Sequence, residues 1–262
     1  MFFPISDDDR QILTPMYVTY FLLAVNILVF IYQLSNPDFT YGWSIVPKEI
    51  TTGQDLVNQV PIPKPGDRIP VEQEFVIPQR PGPSLIWLTL VTAMFMHGGL
   101  GHLGGNMLYL WIFGDNVEHR FGSIPFLCFY LLAGLAGSLA QIMFDPNGLM
   151  PNLGASGAIA GVMGAYLVLF PYNRVNAVVF YMIITVPAVL VLGMWIVMQL
   201  VSQYGAMFAT ETTTGGVAYM AHIGGFVTGV VAGLAYRSMI HVEPDSVLHR
   251  QYDRDPQARR IW

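Results

Sequence analysis

The chain has 262 residues, of which 11% are charged and 53% hydrophobic, and its mean hydropathy is +0.49. An ordinary soluble domain carries about 25% charged residues, so this composition excludes a disordered chain and argues against a soluble globular one. A single cysteine, Cys128, excludes an intramolecular disulfide and a multi-cysteine metal cluster, and a net charge of −5 argues against a nucleic-acid partner.

The chain opens MFFPISDDDR. Three consecutive acids are incompatible with the basic start of a cleaved signal or transit peptide, so the first apolar run, Met16 to Tyr32, is expected as a retained membrane helix. Residues 35–99 are expected as a long first external loop. From Pro61 to Pro83 prolines recur too often for a helix and favour extended, solvated chain. The short apolar segment Ser84 to Met96 is expected on the membrane surface or against the bundle. Five more apolar runs follow, roughly Leu100 to Phe113, Pro125 to Phe144, Ser156 to Phe170, Val175 to Tyr204 and Val217 to Tyr236. Six spans of about 20 residues use roughly half the chain. Pro187, inside the fifth run, predicts a kink or local unwinding there. The expected fold class is an all-α membrane protein with six transmembrane helices over residues 16–240. A cytoplasmic N-terminus, 1–15, and a cytoplasmic polar tail, 241–262, flank it.

Basic residues give the orientation. An even number of spans puts both termini on one side, which then holds Arg10, Arg120, Arg174, Arg237, Arg250, Arg254, Arg259 and Arg260. The other side holds Lys48, Lys64, Arg68 and Arg80, spread over one long loop. The termini are therefore assigned to the cytoplasm.

A strongly polar side chain within a span is costly and is a functional candidate by default. His102 and Asn106 lie in the second span, Ser156 opens the fourth, and His222 lies near the start of the sixth. These spans all run from outside to inside, so the four residues share one depth under the outer surface. Ser156 stands about 22 Å above Pro171 along its helix, in a hydrocarbon core of about 30 Å, and is thus submerged. Ala160 and Gly164 follow Ser156 at i+4 and i+8, while Gly225, Gly229 and Gly233 follow His222 at i+3, i+7 and i+11. Small-residue stripes let membrane helices approach closely, and packing these two together brings Ser156 within reach of His222.

A serine against a histidine is an activated nucleophile. His102 and Asn106, at i and i+4, share a helix face and could offer N–H groups to an oxyanion, as could the backbone of the turn Gly154-Ala155-Ser156-Gly157. Taken singly, such a serine bonds the carbonyl one turn back, such a histidine packs helices, and a glycine stripe is packing. The joint pattern on three helices favours chemistry. No carboxylate or thiol joins the histidines at a matching depth, which argues against a metal, and no acid is placed to orient His222, which favours a dyad over a triad.

From Trp87 to Tyr236 the chain resembles the rhomboid intramembrane serine proteases. The resemblance rests on His102-Leu103-Gly104-Gly105-Asn106 (H-x-x-x-N), Gly154-Ala155-Ser156-Gly157 (G-x-S-G) and Ala221-His222-Ile223-Gly224-Gly225 with Gly229 (A-H-x-x-G-x-x-x-G). It implies a rhomboid-like six-span bundle with Ser156 as nucleophile and His222 as general base. It also implies an oxyanion hole of Asn106, His102 and the Ser156 N–H, with Gly154, Gly157, Gly225 and Gly229 in support. His97 matches a histidine of the family's first loop. The turn Gly114 to Ser123 resembles the family's turn after the second span, with Glu118 and Arg120 structural. The fifth helix and the loop Gly205 to Gly216 are implied as gate and cap. Two departures are visible: Trp87 is followed by Leu88 where members often carry arginine, and Ala160 stands where some members carry an aromatic ring against the histidine. His222 is then either looser or supported by another ring.

The expected function is an intramembrane serine endopeptidase that cleaves transmembrane proteins near the outer membrane surface. It needs no cofactor and no metal. Its expected partners are transmembrane substrates and the lipid bilayer, not nucleic acid, and its expected place is the cell inner membrane. The alternative is an inactive rhomboid-like factor that binds membrane proteins in quality control; such relatives typically lack the serine or the histidine. A transporter predicts repeated halves, and no such repeat is visible.

Overall fold

A computed structural model describes residues 2–8, 12, 15–57, 60–61, 76–77, 79–206 and 218–239. Most of the proline-rich stretch, the loop from 207 to 217 and the tail from 240 lie outside the described residues, and so do the expectations placed on them.

The described chain is mostly helical. Helix α1 covers Tyr17–Ser35, and two short helices, α2 (Pro37–Trp43) and α3 (Pro47–Thr52), follow it. Each short helix starts on a proline, whose missing N–H costs nothing at a first helical position. Residues Val60–Pro61 (β2) and Val76–Ile77 (β3) pair antiparallel. The segment Ile86–Phe95 is a helical piece in which a short α4 (Thr89–Thr92) lies between two 3₁₀ turns. It meets α5 (Leu100–Phe121) at 77°. Gly122, at φ +82°, ends α5 and lets α6 (Ser123–Phe144) turn back at once. Helix α7 covers Ser156–Leu169, α8 Ala188–Ala206 and α9 Tyr219–Met239.

Among the described residues four helices are long and apolar enough to cross a membrane: α1, α6, α8 and α9. The bent pair Ile86–Phe95 and Leu100–Phe121 makes a fifth candidate, and α7 is shorter. Helix α7 lies in the middle, with α5, α6, α8 and α9 packed on it. Its residues Gly157 to Tyr166 are all buried. A helix that is apolar all round belongs in such a place.

Strands replace one expected stretch of helix. The sequence places the start of the fifth span at Val175. Instead Arg174–Val179 (β4) and Met182–Pro187 (β5) form a hairpin, and β1 (Phe2–Asp7) adds to its open edge in the order β1-β4-β5. The physical reason is β-branching: Val175, Val178, Val179, Ile183, Ile184, Thr185 and Val186 suit a pleated surface. Ser6, Asn176 and Thr185 bridge the three strands through their side chains, at 3.0 and 2.6 Å. Pro187 is therefore the last strand residue, not a kink inside a helix, and α8 begins immediately after it. The sheet sits at the end of the bundle away from Ser156. There Asp7 accepts hydrogen bonds from Asn116 Nδ2 at 2.9 Å and from the Tyr166 hydroxyl, which pins β1 under α7.

The close contact between α7 and α9 is also shifted by one residue from expectation. A Cβ on Gly225 would stand 1.9 Å from the Gly157 carbonyl oxygen, and one on Gly229 would stand 1.9 Å from that of Gly161. The stripe facing α9 is thus Gly157 and Gly161, joined by Gly164 against the Phe226 backbone, and not Ser156 and Ala160. The shift leaves the Ser156 side chain at the edge of the contact, bordering a cavity.

Candidate active site

Ser156 is the first residue of α7, so its backbone N–H belongs to the helix start, where N–H groups have no partner within the helix. Gly154 makes this geometry possible. Its φ is +138°, and a Cβ on it would stand 2.8 Å from the His102 ring. Its N–H bonds the Ala93 carbonyl at 2.8 Å, which fastens the turn to the segment before α5.

His222 lies in the first turn of α9, and its Nε2 is 2.7 Å from Ser156 Oγ. Two α8 residues hold the ring. The Trp195 ring lies 5.9 Å away at 38°, and Gln199 Oε1 is 2.8 Å from Nδ1. The aromatic support missing at Ala160 is thus supplied from α8. Trp195 and Gln199 were not singled out from the sequence. A signal existed: they stand at i and i+4 on one face, and Gln199 is a strongly polar residue within an apolar run.

His102 and Asn106 lie on the first two turns of α5. Gly98 N–H donates to His102 Nδ1 at 3.3 Å, so the neutral ring carries its proton on Nε2, free to donate beside the Gly154 turn. Asn106 is buried, and its Nδ2 has no hydrogen-bond partner among the described residues. A buried donor without an acceptor is costly, and an incoming oxyanion would satisfy it. His97 is buried with its ring edge-on to His102, centroids 5.2 Å apart, and Gln33 bonds its backbone N–H at 2.9 Å and its carbonyl at 3.2 Å.

His102, Asn106, Ser156, Trp195, Gln199 and His222 border one cavity of about 730 Å³. Behind Ser156 lies a smaller cavity of about 40 Å³, reached by Met94, Ser138, Gln141 and Asn152. Away from the site, Glu118 accepts from the Val18 and Thr19 N–H groups at 3.0 and 2.7 Å and from the Thr19 and Ser123 hydroxyls at 2.8 and 2.6 Å. It caps α1 from another helix. The Arg120 guanidinium lies 5.3 Å from the Phe170 ring centre.

Residues 85–239, more than half of the chain, match the model of the Rhomboid domain family. The chain belongs to the rhomboid family. Among rhomboid relatives, it is 36% identical over 149 residues to Rhomboid protease GluP of Bacillus subtilis, covering 57% of this chain and 26% of that protein. It is 32% identical over 150 residues to Rhomboid protein 1, mitochondrial, of Saccharomyces cerevisiae, covering 56% and 41%. Putative rhomboid protease YdcA of Bacillus subtilis is 34% identical over 108 residues, 40% of this chain and 54% of that protein. The chain therefore spans about a quarter to about half the length of these relatives. It is a multi-pass membrane protein of a family that includes named proteases.

Proposed function

We propose that this rhomboid is an active intramembrane serine endopeptidase with a Ser156–His222 dyad. The observation that carries the reading is the 2.7 Å contact between Ser156 Oγ and His222 Nε2 at the edge of a cavity that also holds Asn106 Nδ2, a buried donor with no partner among the described residues.

The chemistry follows from these atoms. His222 Nε2 takes the hydroxyl proton as Ser156 Oγ attacks the carbonyl carbon of the substrate. The oxyanion gathers N–H donors from Asn106 Nδ2, His102 Nε2 and the Ser156 backbone. The intermediate then collapses, the C–N bond breaks, and the leaving amine takes the proton from His222. Water, deprotonated by the same imidazole, attacks the acyl-serine and releases the acid and the free hydroxyl.

The reading includes six spans: α1, α5, α6, a short α7 held inside the others, α8 and α9. Residues 35–99 then form the external loop, the sheet and both termini lie on the cytoplasmic side, and the cell inner membrane is the proposed location. Substrates are transmembrane helices. A peptide bond inside a hydrogen-bonded helix must leave it before Ser156 can attack, so substrates carry helix-weak residues such as Gly or Pro near the cut. The 40 Å³ cavity behind Ser156 suits a small residue just before that bond.

The test is purified protein in detergent or liposomes with a model transmembrane substrate. Wild type cleaves it, and Ser156→Ala and His222→Ala do not. Binding without turnover by wild type would favour the inactive, quality-control alternative.

A further inference from the structure

For attack, His222 Nε2 must accept the Ser156 proton. A neutral imidazole has one donor and one acceptor, so the other nitrogen, Nδ1, must carry hydrogen and needs an acceptor of its own. Among the described residues no carboxylate borders the cavity. The group within reach is Gln199 Oε1, at 2.8 Å. One turn earlier on the same helix, Trp195 lies beside the ring. Both restraints come from α8, and none of the catalytic hydrogen bonds proposed above does.

We propose that Gln199 is the positioning residue of this site: its amide oxygen fixes the His222 tautomer and so makes the base competent only while α8 is seated against α9. The inner end of α8 is fastened, since the Ala188 and Val189 N–H groups bond the Asn173 and Pro171 carbonyls, each at 2.9 Å. Gln199 lies well beyond that fastened end, so a tilt of α8 withdraws the acceptor while Ser156 and His222 stay on their own helices. A substrate admitted by such a tilt meets a complete base only after α8 returns. This inference rests on the protease reading.

The experiment measures turnover of a transmembrane substrate and the rate at which a fluorophosphonate labels Ser156, in wild type, Gln199→Leu and Gln199→Glu. Losing a hydrogen bond to a group that becomes charged in the transition state lowers kcat by about 10- to 100-fold. Gln199→Leu is expected to show that loss with KM and the thermal midpoint unchanged, and labelling slows by the same factor. Gln199→Glu keeps an acceptor and restores labelling at least tenfold over the leucine variant. If Gln199→Leu fails to fold, Gln199→Met, of matching length, takes its place. Wild-type labelling rates in the apolar variant would overturn the proposal. So would a Gln199→Glu variant as slow as the apolar one, because the amide would then be donating to Nδ1. Wild type that neither labels nor cleaves would instead refute the protease reading.

Discussion

Helices α7 and α9 meet backbone to backbone, whereas α8 leans on them through side chains. In the first pair, carbonyl oxygens of Gly157 and Gly161 lie 1.9 Å from where Cβ atoms of Gly225 and Gly229 would stand. In α8, Ala188, Val191 and Leu192 are buried near its N-terminal end, and of the described α8 residues after Leu192 Gln203 alone is buried. Lipid is as apolar as leucine, so helices in a membrane hold each other by close packing and not by hydrophobic burial. The pair that carries Ser156 and His222 therefore has the firm contact, and the helix that brings Gln199 and Trp195 has the loose one. A catalytic pair must keep its geometry to about 0.5 Å, and a helix that admits a bulky substrate must move.

Locking the loose helix has the largest expected effect. An engineered disulfide between the C-terminal half of α8 and the N-terminal half of α5, in a Cys128→Ser background, should abolish cleavage of transmembrane substrates, and reduction should restore it. Labelling of Ser156 by a small fluorophosphonate should persist in the oxidised form, because α8 is then seated. Full cleavage by the verified disulfide form would reject lateral opening and favour access through the cap loop.

Disturbing the firm contact comes next. Gly229→Ala places a Cβ 1.9 Å from a backbone oxygen, and Gly229→Val adds branching. Both should lower the thermal midpoint and activity together, the valine by about 4 kcal/mol or more. Nothing lies within 4 Å of a Cβ built on Gly193 in α8, so Gly193→Ala should change stability by no more than about 1 kcal/mol. Equal losses at both positions would erase the contrast between the two helices.

Asn106→Ala leaves both contacts intact and removes one proposed oxyanion donor, a loss that typically costs about 10²–10³ in rate. Steady-state kinetics should show a slowed enzyme with an unchanged midpoint. If Asn106→Ala and His102→Ala both kept wild-type rates at saturating substrate, the assigned oxyanion hole would be wrong.

The smallest effect lies at Glu49 in α3. Burial pushes the Glu49 carboxyl up to about 7, the Leu56 N–H at 2.9 Å opposes the shift, and the Asp55 charge adds to it. The folded loop therefore holds a proton that the unfolded chain releases near 4.5. Stability from this group is present below that value and is lost as pH rises to about 7. Thermal midpoints should fall across that window in wild type and flatten in Glu49→Gln. A wild-type profile that matches the variant would show that Glu49 does not contribute.

Much of this molecule was legible in the sequence, and the rest was hidden for physical reasons. Long uncharged runs announced α1, α6 and α9, and glycine spacing announced close packing on α9. The hairpin was missed because a short run of Val and Ile reads alike as buried strand or membrane helix by hydropathy. The α7 stripe was displaced by one residue because Ser156, Gly157, Ala160 and Gly161 are all small, and smallness on two adjacent rows does not say which row faces the partner. Gln199 carried a signal, as a strongly polar residue in an apolar run, but its contact with His222 depends on where α8 lies against α9, which no spacing within α8 encodes.

The central claim is that Ser156, activated by His222, is the attacking atom. It is tested most directly by treating purified wild type, Ser156→Ala and His222→Ala with a fluorophosphonate and mapping the adduct by mass spectrometry. The account predicts one adduct, on Ser156, in wild type alone, with substrate cleavage lost in both variants. An adduct on another residue, or turnover by purified Ser156→Ala, would contradict it.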